Sequence, residues 1–390
     1  MIPPQELRGM VAEVLPTITE LRRAIHRHPE LSFQEFATTE RVATVLRHGG
    51  LDPKIRDSGT GLVVELGYGE RIVGFRADLD ALPISEPADN PHASQVRGVM
   101  HACGHDAHTA IAAGIALTLA RLPLPGRVRF LFQPGEEVFP GGALEMVHDG
   151  AIDDLSSILA FHVDPTLEAG TVGLRTGPIT GSADRFTITL EGPGGHTARP
   201  HRTVDLVYAA GRLVTELPAL IDRLVDARRP VAVVFGRIHG GAVENVIPTT
   251  VELGGTVRTL DRGLWDEIPA LITDLAAQIV KPTGARASVT YIRGVPPVVN
   301  DPEVIDTARL ATMDILGVGA VVPTPTSMGA EDFSQYLDRV PGALLRLGCL
   351  TDIGPVDLHS ASFVFNEAAL DAGVTAGVAT LLRLLDSRAT

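Results

Sequence analysis

The hydrophobic pattern between about residues 59 and 177 is that of alternating strands and helices. Four continuous apolar runs are typical of strands buried on both faces, at residues 61–66, 72–77, 128–132 and 157–163. The clearest helix lies among them at residues 107–122. Buried strands that alternate with helices predict an α/β layer built on a mixed, mainly parallel sheet.

The pattern changes between residues 184 and 293. An alternating strand at residues 184–191 is followed by a helix, two strands, a helix and a strand, at residues 203–224, 231–239, 249–259, 264–280 and 287–293. The order β-α-β-β-α-β is that of a ferredoxin-like unit. We therefore expect this stretch to fold as an α+β domain of its own.

The segments on either side of this stretch are predicted to form one domain. Apolar residues at helical spacing predict an opening helix at residues 5–27. Helices and strands alternate again after residue 293, at residues 302–316, 333–337, 343–349 and 368–385. The prediction is an α/β domain of residues 1–180 and 294–390, interrupted by an inserted domain of residues 181–293.

Composition narrows the possible partners and the location. The 390 residues include 33 Lys and Arg against 47 Asp and Glu, a net charge of −14, which disfavours binding to nucleic acid or to an anionic membrane. The longest uncharged helical stretch, residues 107–120, is shorter than the roughly 18 apolar residues of a membrane span. The N-terminus lacks a signal-peptide pattern, and two cysteines make no disulfide framework. We expect a soluble cytoplasmic protein.

Acidic and imidazole side chains follow three of the predicted strands. Asp78 and Asp80 follow the second strand, Glu136 and Glu137 follow the third, and His162 lies near the end of the fourth. Ligands of open α/β sheets bind beyond the carboxyl ends of the strands. These side chains are therefore predicted to converge on one site.

Two short motifs contain side chains suited to metal binding and proton transfer at this site. Cys103 and His105, separated by one glycine, can face the same ion from an extended turn. The pair Glu136 and Glu137 suits a division of labour, with one carboxylate on a metal and its neighbour on the activated water. The alternatives are a small core cysteine, a hydrogen-bonded core histidine at His162, and a solvated loop tip at the glutamate pair.

Longer motifs resemble the M20 family of metallopeptidases and amidohydrolases, in its branch of aminoacylases, hippurate hydrolases and auxin-conjugate hydrolases. They occur in family order along almost the whole chain. The matching stretches are HPELSF (28–33), RADLDALP (76–83), MHACGHD (100–106), FQPGEE (132–137), GGHT (194–197), ENVIP (244–248), GAEDF (329–333) and LHS (358–360).

The resemblance implies a site for two divalent metal ions (Mn, Zn, Co or Ni) on a zinc-exopeptidase-like fold. Carried over position by position, the metal ligands are Cys103, His105, Glu137, His162 and His359. Glu136 corresponds to the general base. Asp80 corresponds to the carboxylate that orients a metal-ligating histidine. Whether Asp78 is a further ligand stays open.

In the family the inserted domain is a lid and often a dimerisation surface, so the resemblance also implies a homodimer. His196 corresponds to a lid histidine that stabilises the tetrahedral oxyanion. Asn245 and Arg258 correspond to positions that hold the substrate, and the guanidinium of Arg258 suits a carboxylate. The alternative for Arg258 is an exposed strand residue.

The function that the resemblance implies is metal-dependent hydrolysis of the amide bond of N-acyl amino acids or similar conjugates, by metal-activated water with Glu136 as base. A dipeptidase or carboxypeptidase that acts on unblocked peptides is the main alternative. A non-catalytic metal-binding homologue is a more distant one. It would have no need for a second glutamate beside Glu137, so the pair favours catalysis.

Overall fold

The computed structural model describes residues 2–88, 90 and 92–386. The helices are α1 (Pro4–Arg27), α2 (Phe36–His48), α3 (His105–Leu119), α4 (Gly142–His148), α5 (Leu206–Leu224), α6 (Arg262–Val280), α7 (Pro302–Leu316), α8 (Ser334–Leu337) and α9 (Ala369–Asp386). Short 3₁₀ turns lie at Pro200–Arg202, Lys281–Thr283 and Val318–Ala320.

The strands are β1 (Lys54–Ile55), β2 (Leu62–Gly67), β3 (Ile72–Asp78), β4 (Arg127–Gln133), β5 (Leu155–Glu168), β6 (Val172–Leu174), β7 (Gly177–Thr180), β8 (Ala183–Glu191), β9 (Gly195–His196), β10 (Val231–Gly240), β11 (Val246–Ile247), β12 (Thr250–Thr259), β13 (Arg286–Val295), β14 (Val298–Asn300), β15 (Val321–Pro323) and β16 (Gly342–Leu350).

These elements form two compact units. The first unit comprises the residues up to Gly177, the segment Val299–Pro325 and the residues from Asp332 onward. The second unit comprises Pro178–Val298 and Thr326–Glu331. Among the described residues, none of the helices combines the length and apolar character needed to cross a membrane.

The first unit contains an eight-stranded sheet in the order β1-β2-β4-β3-β5-β16-β6-β15. Its four central strands, β4, β3, β5 and β16, are mutually parallel. Antiparallel pairs occur on either side of them, at β1–β2, β2–β4 and β16–β6. The predicted mixed, mainly parallel sheet is therefore confirmed.

Helix α3 is buried along its whole length. Its small residues let neighbouring helices approach closely: a β-carbon on Gly114 would lie 2.7 Å from Val374 Cγ2 and 2.9 Å from Ile18 Cδ1. Val374 belongs to α9 and Ile18 to α1, so the three helices meet at this glycine. The core of the unit then continues through α3 onto the sheet.

The second unit contains an antiparallel four-stranded sheet in the order β10-β12-β8-β13. Helices α5 and α6 cover it with a shared apolar core that includes Ile188, Leu213 and Ile272. This is the predicted ferredoxin-like arrangement. Helix α5 begins at Leu206 rather than at residue 203, because the side chain of Asp205 accepts a hydrogen bond from the amide of Tyr208 and caps the helix there.

The segment Thr326–Glu331 groups with the second unit, whereas the sequence assigned it to the α/β domain. Backbone hydrogen bonds hold it, from Ser327 N to Ile179 O at 2.9 Å and from Gly181 N to Gly329 O at 3.0 Å. These contacts join residues far apart in the chain, which a local hydrophobic pattern does not reveal.

The helix contact at Gly114 predicts that Gly114→Ala destabilises the protein by about 1–3 kcal/mol, because the added methyl group overpacks a full interface. The same substitution at Gly9, an exposed position of α1 where a β-carbon would have no atom within 4 Å, should stabilise the protein by up to about 1 kcal/mol. Urea unfolding of both variants measures the difference. Equal effects at the two positions would contradict the packing.

Candidate metal and catalytic site

The proposed ligands of the first unit come together in space. Cys103, His105 and His162 form one group in which the potential ligand atoms all lie within 4.8 Å of one another. By the same measure, Cys103 groups with Glu137 and His359, and His105 groups with Glu136 and Glu137. The structure thus brings together the five residues for which the resemblance implies metal binding, with Glu136 beside them.

A glycine in the left-handed region allows Cys103 and His105 to share a site. Gly104 has φ +81° and precedes α3, of which His105 is the first residue. A β-carbon at Gly104 would lie 2.5 Å from Val163 Cγ2, so any side chain here would collide with β5. Helix α3 starts before the predicted residue 107, because the turn closes at Gly104, and it ends at Leu119 rather than at residue 122.

Two buried histidines are oriented by hydrogen bonds at Nδ1. His105 Nδ1 lies 2.9 Å from the carbonyl oxygen of Asp80, and His162 Nδ1 lies 2.8 Å from the carbonyl oxygen of Val163. In a neutral imidazole, a proton on Nδ1 leaves the Nε2 lone pair free for a metal. Burial acts to lower the pKa of His105, but the nearby charge of Asp78 raises it well above its usual value, so a metal ion must displace a proton from this ring. His162 Nε2 lies 3.5 Å from Cys103 Sγ, and His105 Nε2 lies 3.8 Å from Glu137 Oε1.

The charge state of His162 also suits a ligand. Burial, together with the positive charge of Arg346, lowers the pKa of His162 well below its usual value. The imidazole is therefore neutral near pH 7 and keeps a lone pair. A thiol, three imidazoles and a carboxylate make a donor set that fits Zn and similar divalent ions.

His359 joins this group from a distant loop. Its backbone has φ +61°, which is uncommon for a residue other than glycine. Its amide donates to the carbonyl oxygen of Ala102 at 2.8 Å, and its Nε2 lies 3.2 Å from Glu137 Oε1. Hydrogen bonds to Cys103 and Glu137 raise the pKa of His359 to about 10, so a metal ion must compete with a proton for this imidazole.

Asp80 connects the parts of the site. Its Oδ2 accepts hydrogen bonds from the Glu137 amide at 2.9 Å and from the Ser32 hydroxyl at 2.7 Å. Its Oδ1 lies 3.3 Å from His105 Nδ1. Burial acts to raise the pKa of Asp80, but these hydrogen bonds outweigh it and hold the pKa below the usual value. Asp80 thus orients other groups of the site.

Asp78 is engaged by neighbours that the sequence analysis did not identify. Arg76 Nη1 donates to one oxygen of Asp78 at 2.6 Å, and His108 Nδ1 lies 2.7 Å from the other. The Nε2 atom of His108 in turn accepts the amide of Val163 at 2.9 Å. Because the two ring nitrogens of His108 are engaged and Asp78 is ion-paired, this arrangement favours a supporting role for Asp78.

A buried polar network extends behind Asp78. Arg76 donates to Asp332 Oδ1 at 2.8 Å and to Gln133 Oε1 at 2.9 Å. Gln133 also donates to Asp332 and accepts from the Tyr336 hydroxyl. Burying this much charge is tolerable because each group has partners. The GAEDF motif at 329–333 therefore contributes Asp332 to the buried network that supports Asp78.

The remaining candidates belong to the second unit. His196 lies on β9, paired with Val246 of β11, and the carbonyl of Asn245 accepts the amide of Thr197 at 3.3 Å. His196 and Asn245 are exposed neighbours. Arg258 is half-buried on β12 and donates to the carbonyl oxygen of Met328 at 2.6 Å. Their substrate roles stay predictions.

Comparisons with known proteins show which relatives the chain resembles. The chain is 45% identical over 372 residues to a Rhodococcus jostii protein named putative glutamate–cysteine ligase 2-3, an alignment that covers 95% of this chain and 47% of that protein. The chain thus spans about half of that relative's length. It is 36% identical over 375 residues to N-acetyl-L-cysteine deacetylase of Bacillus subtilis strain 168, covering 94% of this chain and 88% of the relative.

One solved structure is similar to this chain over nearly its whole length. It is a Bacillus subtilis protein described as a dinuclear metal binding peptidase from the M20 family, with a TM-score of 0.85 and 32% identity over 96% of this chain and 99% of that one. The family model described as peptidase family M20/M25/M40 matches residues 74–384. Since this match covers well over half of the sequence, the chain belongs to peptidase family M20/M25/M40.

Proposed function

We propose that the protein is a metal-dependent amidohydrolase that cleaves the amide bond of N-acyl amino acids. Two divalent ions would be held by Cys103, His105, Glu137, His162 and His359. The observation that carries the proposal is the cluster of these side chains around the adjacent glutamates Glu136 and Glu137, whose carboxylate oxygens both lie within 4.8 Å of His105. We assign Glu137 to the metal and Glu136 to proton transfer. The deacetylase among the relatives supports the substrate class.

The positions of the residues support the following reaction. When bound, divalent ions supply Lewis acidity that brings the pKa of water toward neutrality. Glu136 takes the proton of the attacking water and passes it to the departing amine nitrogen. Asp80 holds His105 and the Glu137 amide in place during this transfer. Orientation of this kind lowers the barrier because the groups need not be ordered anew for each turnover.

The roles of the second unit belong to the same proposal. His196 would stabilise the oxyanion of the tetrahedral intermediate, and a well-placed donor of this kind contributes roughly 3 kcal/mol to the transition state. Asn245 and Arg258 would bind the substrate. The homodimer and the cytoplasmic location expected from the sequence stay predictions.

An exopeptidase that acts on unblocked dipeptides is the alternative within the same family. It would use the same metals and the same base, so the site residues do not separate the two. Rates on an N-acetyl or N-benzoyl amino acid and on the matched dipeptide do. A preference for the dipeptide would contradict the amidohydrolase assignment while leaving the metal chemistry intact.

Replacing the proposed base gives the most direct test of the mechanism. Glu136→Gln should lower kcat on N-acetyl amino acids by about 10²- to 10⁴-fold, because the amide cannot accept the proton of water. Metal content, measured by elemental analysis, should stay that of the parent. The matched control is Glu145→Gln, an exposed glutamate of α4 whose partner is Arg56, and it should keep full activity. Near-normal turnover by Glu136→Gln would exclude this residue as the base.

Removing the thiol ligand tests the metal site itself. Cys103→Ala should weaken binding of Mn or Zn by more than about 10-fold, the effect typical of losing even an outer partner of a ligand. Cys349→Ala removes the other buried cysteine, which lies on β16, and should leave the metal affinity unchanged. Titration of chelator-treated protein with Mn, Zn, Co and Ni measures the affinities. Equal affinities of the two variants would rule out Cys103 as a ligand.

A further inference from the structure

We propose that the turn at residues 31–35 positions the catalytic glutamate pair, with Glu35 and Ser32 as its positioning residues. The inference rests on the proposed function of Glu136 and Glu137 and deepens it. The turn lies between α1 and α2. Its side chains contact the loop of residues 134–137, here called the catalytic loop, directly at Gly135 and through Asp80 at Glu137.

The first point is the residue before the proposed base. Glu35 is fully buried, and its Oε1 accepts the amide of Gly135 at 2.8 Å and the amide of Phe33 at 2.9 Å. One carboxylate oxygen therefore ties the turn to the peptide that leads into Glu136. A shift of that peptide moves the carboxylate of the base with it.

The ring of Phe33 holds the same glycine from another direction. Gly135 has φ +64°, and a β-carbon there would lie 2.7 Å from Phe33 Cζ. Phe33 itself has φ +61°, a left-handed conformation that costs energy for an aromatic residue. The strained turn thus places its ring directly against the catalytic loop.

The second point is the proposed ligand Glu137. The hydroxyl of Ser32 donates to Asp80 Oδ2 at 2.7 Å, and the same oxygen accepts the Glu137 amide at 2.9 Å. The turn is anchored next to Asp80, since the amide of Ala81 donates to the carbonyl of Glu30 at 2.8 Å. Ser32 therefore acts on Glu137 through Asp80.

Burying the carboxyl of Glu35 costs free energy, which indicates that this residue has a role besides stabilising the fold. Burial and the nearby charge of Asp80 raise the pKa of its carboxyl to about 7. Among the described residues, none donates a hydrogen bond to its Oε2. A buried polar atom without a partner is destabilising, so this carboxyl carries a cost that its two backbone hydrogen bonds must offset. The site gains a fixed acceptor for the Gly135 amide in return.

Glu30 provides a matched control within the same segment. Its carboxylate also accepts two backbone amides, those of Ala37 at 3.1 Å and Thr38 at 2.7 Å. These amides belong to the first turn of α2 rather than to the catalytic loop. Glu30→Ala therefore removes a comparable pair of hydrogen bonds without touching the residues around Gly135.

The test compares kcat and KM at saturating metal. Glu35→Ala should lower kcat on an N-acetyl amino acid by about 10- to 100-fold, the typical cost of losing an outer partner or displacing a catalytic group. KM should stay within about 3-fold, because the substrate contacts are unchanged. Glu35→Gln should recover kcat to within about 3-fold of the parent, because the amide oxygen can accept both hydrogen bonds. Glu30→Ala should keep the parental kcat and lose only stability.

Amide hydrogen exchange gives a readout that does not depend on turnover. Exchange in the peptide containing residues 135–137 should become faster in Glu35→Ala and in Ser32→Ala, and it should not change in Glu30→Ala. Ser32→Ala is the milder variant and keeps the test available if Glu35→Ala fails to fold. It should lower kcat by about 3- to 10-fold, the lower end of the effect of an outer partner.

The outcomes separate this inference from the proposed function. Parental kcat and unchanged exchange in the Glu35 and Ser32 variants, with an active parent, would overturn the positioning role alone. Loss of kcat in Glu30→Ala equal to that in Glu35→Ala would also overturn it, since general destabilisation would then explain the result. A parent without turnover under every metal would contradict the proposed function and with it the catalytic part of this inference.

Discussion

The parallel register of β3, β4 and β5 is the constraint on which the site depends. Asp78 pairs with Gln133 at the ends of β3 and β4, and Arg76 pairs with Ala160 of β5, two residues before Asp78 and His162 on their strands. Parallel strands in this register release their loops at one edge of the sheet. Asp80 and Glu136 follow the ends of β3 and β4, and His162 lies on β5 two residues beyond the pairing of Ala160 with Arg76. All three therefore lie at the same edge.

The convergence of these segments brings several carboxylates into a buried place, where they would repel one another without donors nearby. Asp80 is the best example of how such donors are supplied. It accepts the Glu137 amide and the Ser32 hydroxyl and lies against His105 Nδ1, so its own charge is balanced by donors. Behind it, Arg76 pairs with both Asp78 and Asp332. Fixed partners offset the desolvation penalty of these buried charges, and the potential ligand atoms lie close to one another.

Much of this could be predicted from the sequence, for physical reasons. Buried strands and amphipathic helices leave periodic patterns, and residues at strand ends converge by topology, which pointed to the glutamate pair and to His162. The Cys-Gly-His motif pointed to Cys103 and His105, and the family resemblance indicated which glutamate is the ligand. His359 depends on a loop far along the chain, and only the family motif indicated it. Helix α4 and strand β1 are too short to show a period. The roles of His108, Asp332 and Glu35 arise from tertiary hydrogen bonds, which no local pattern encodes.

The central claim is that one group of side chains in the first unit holds two divalent ions for hydrolysis. Crystals of the Mn-loaded protein, measured at wavelengths on both sides of the metal absorption edge, test it most directly. We expect two anomalous peaks, with Glu136 adjacent to them and free of direct coordination. The coordinating residues should come from the set Cys103, His105, Glu137, His162 and His359. A single peak, or peaks bound by residues outside this set, would contradict it.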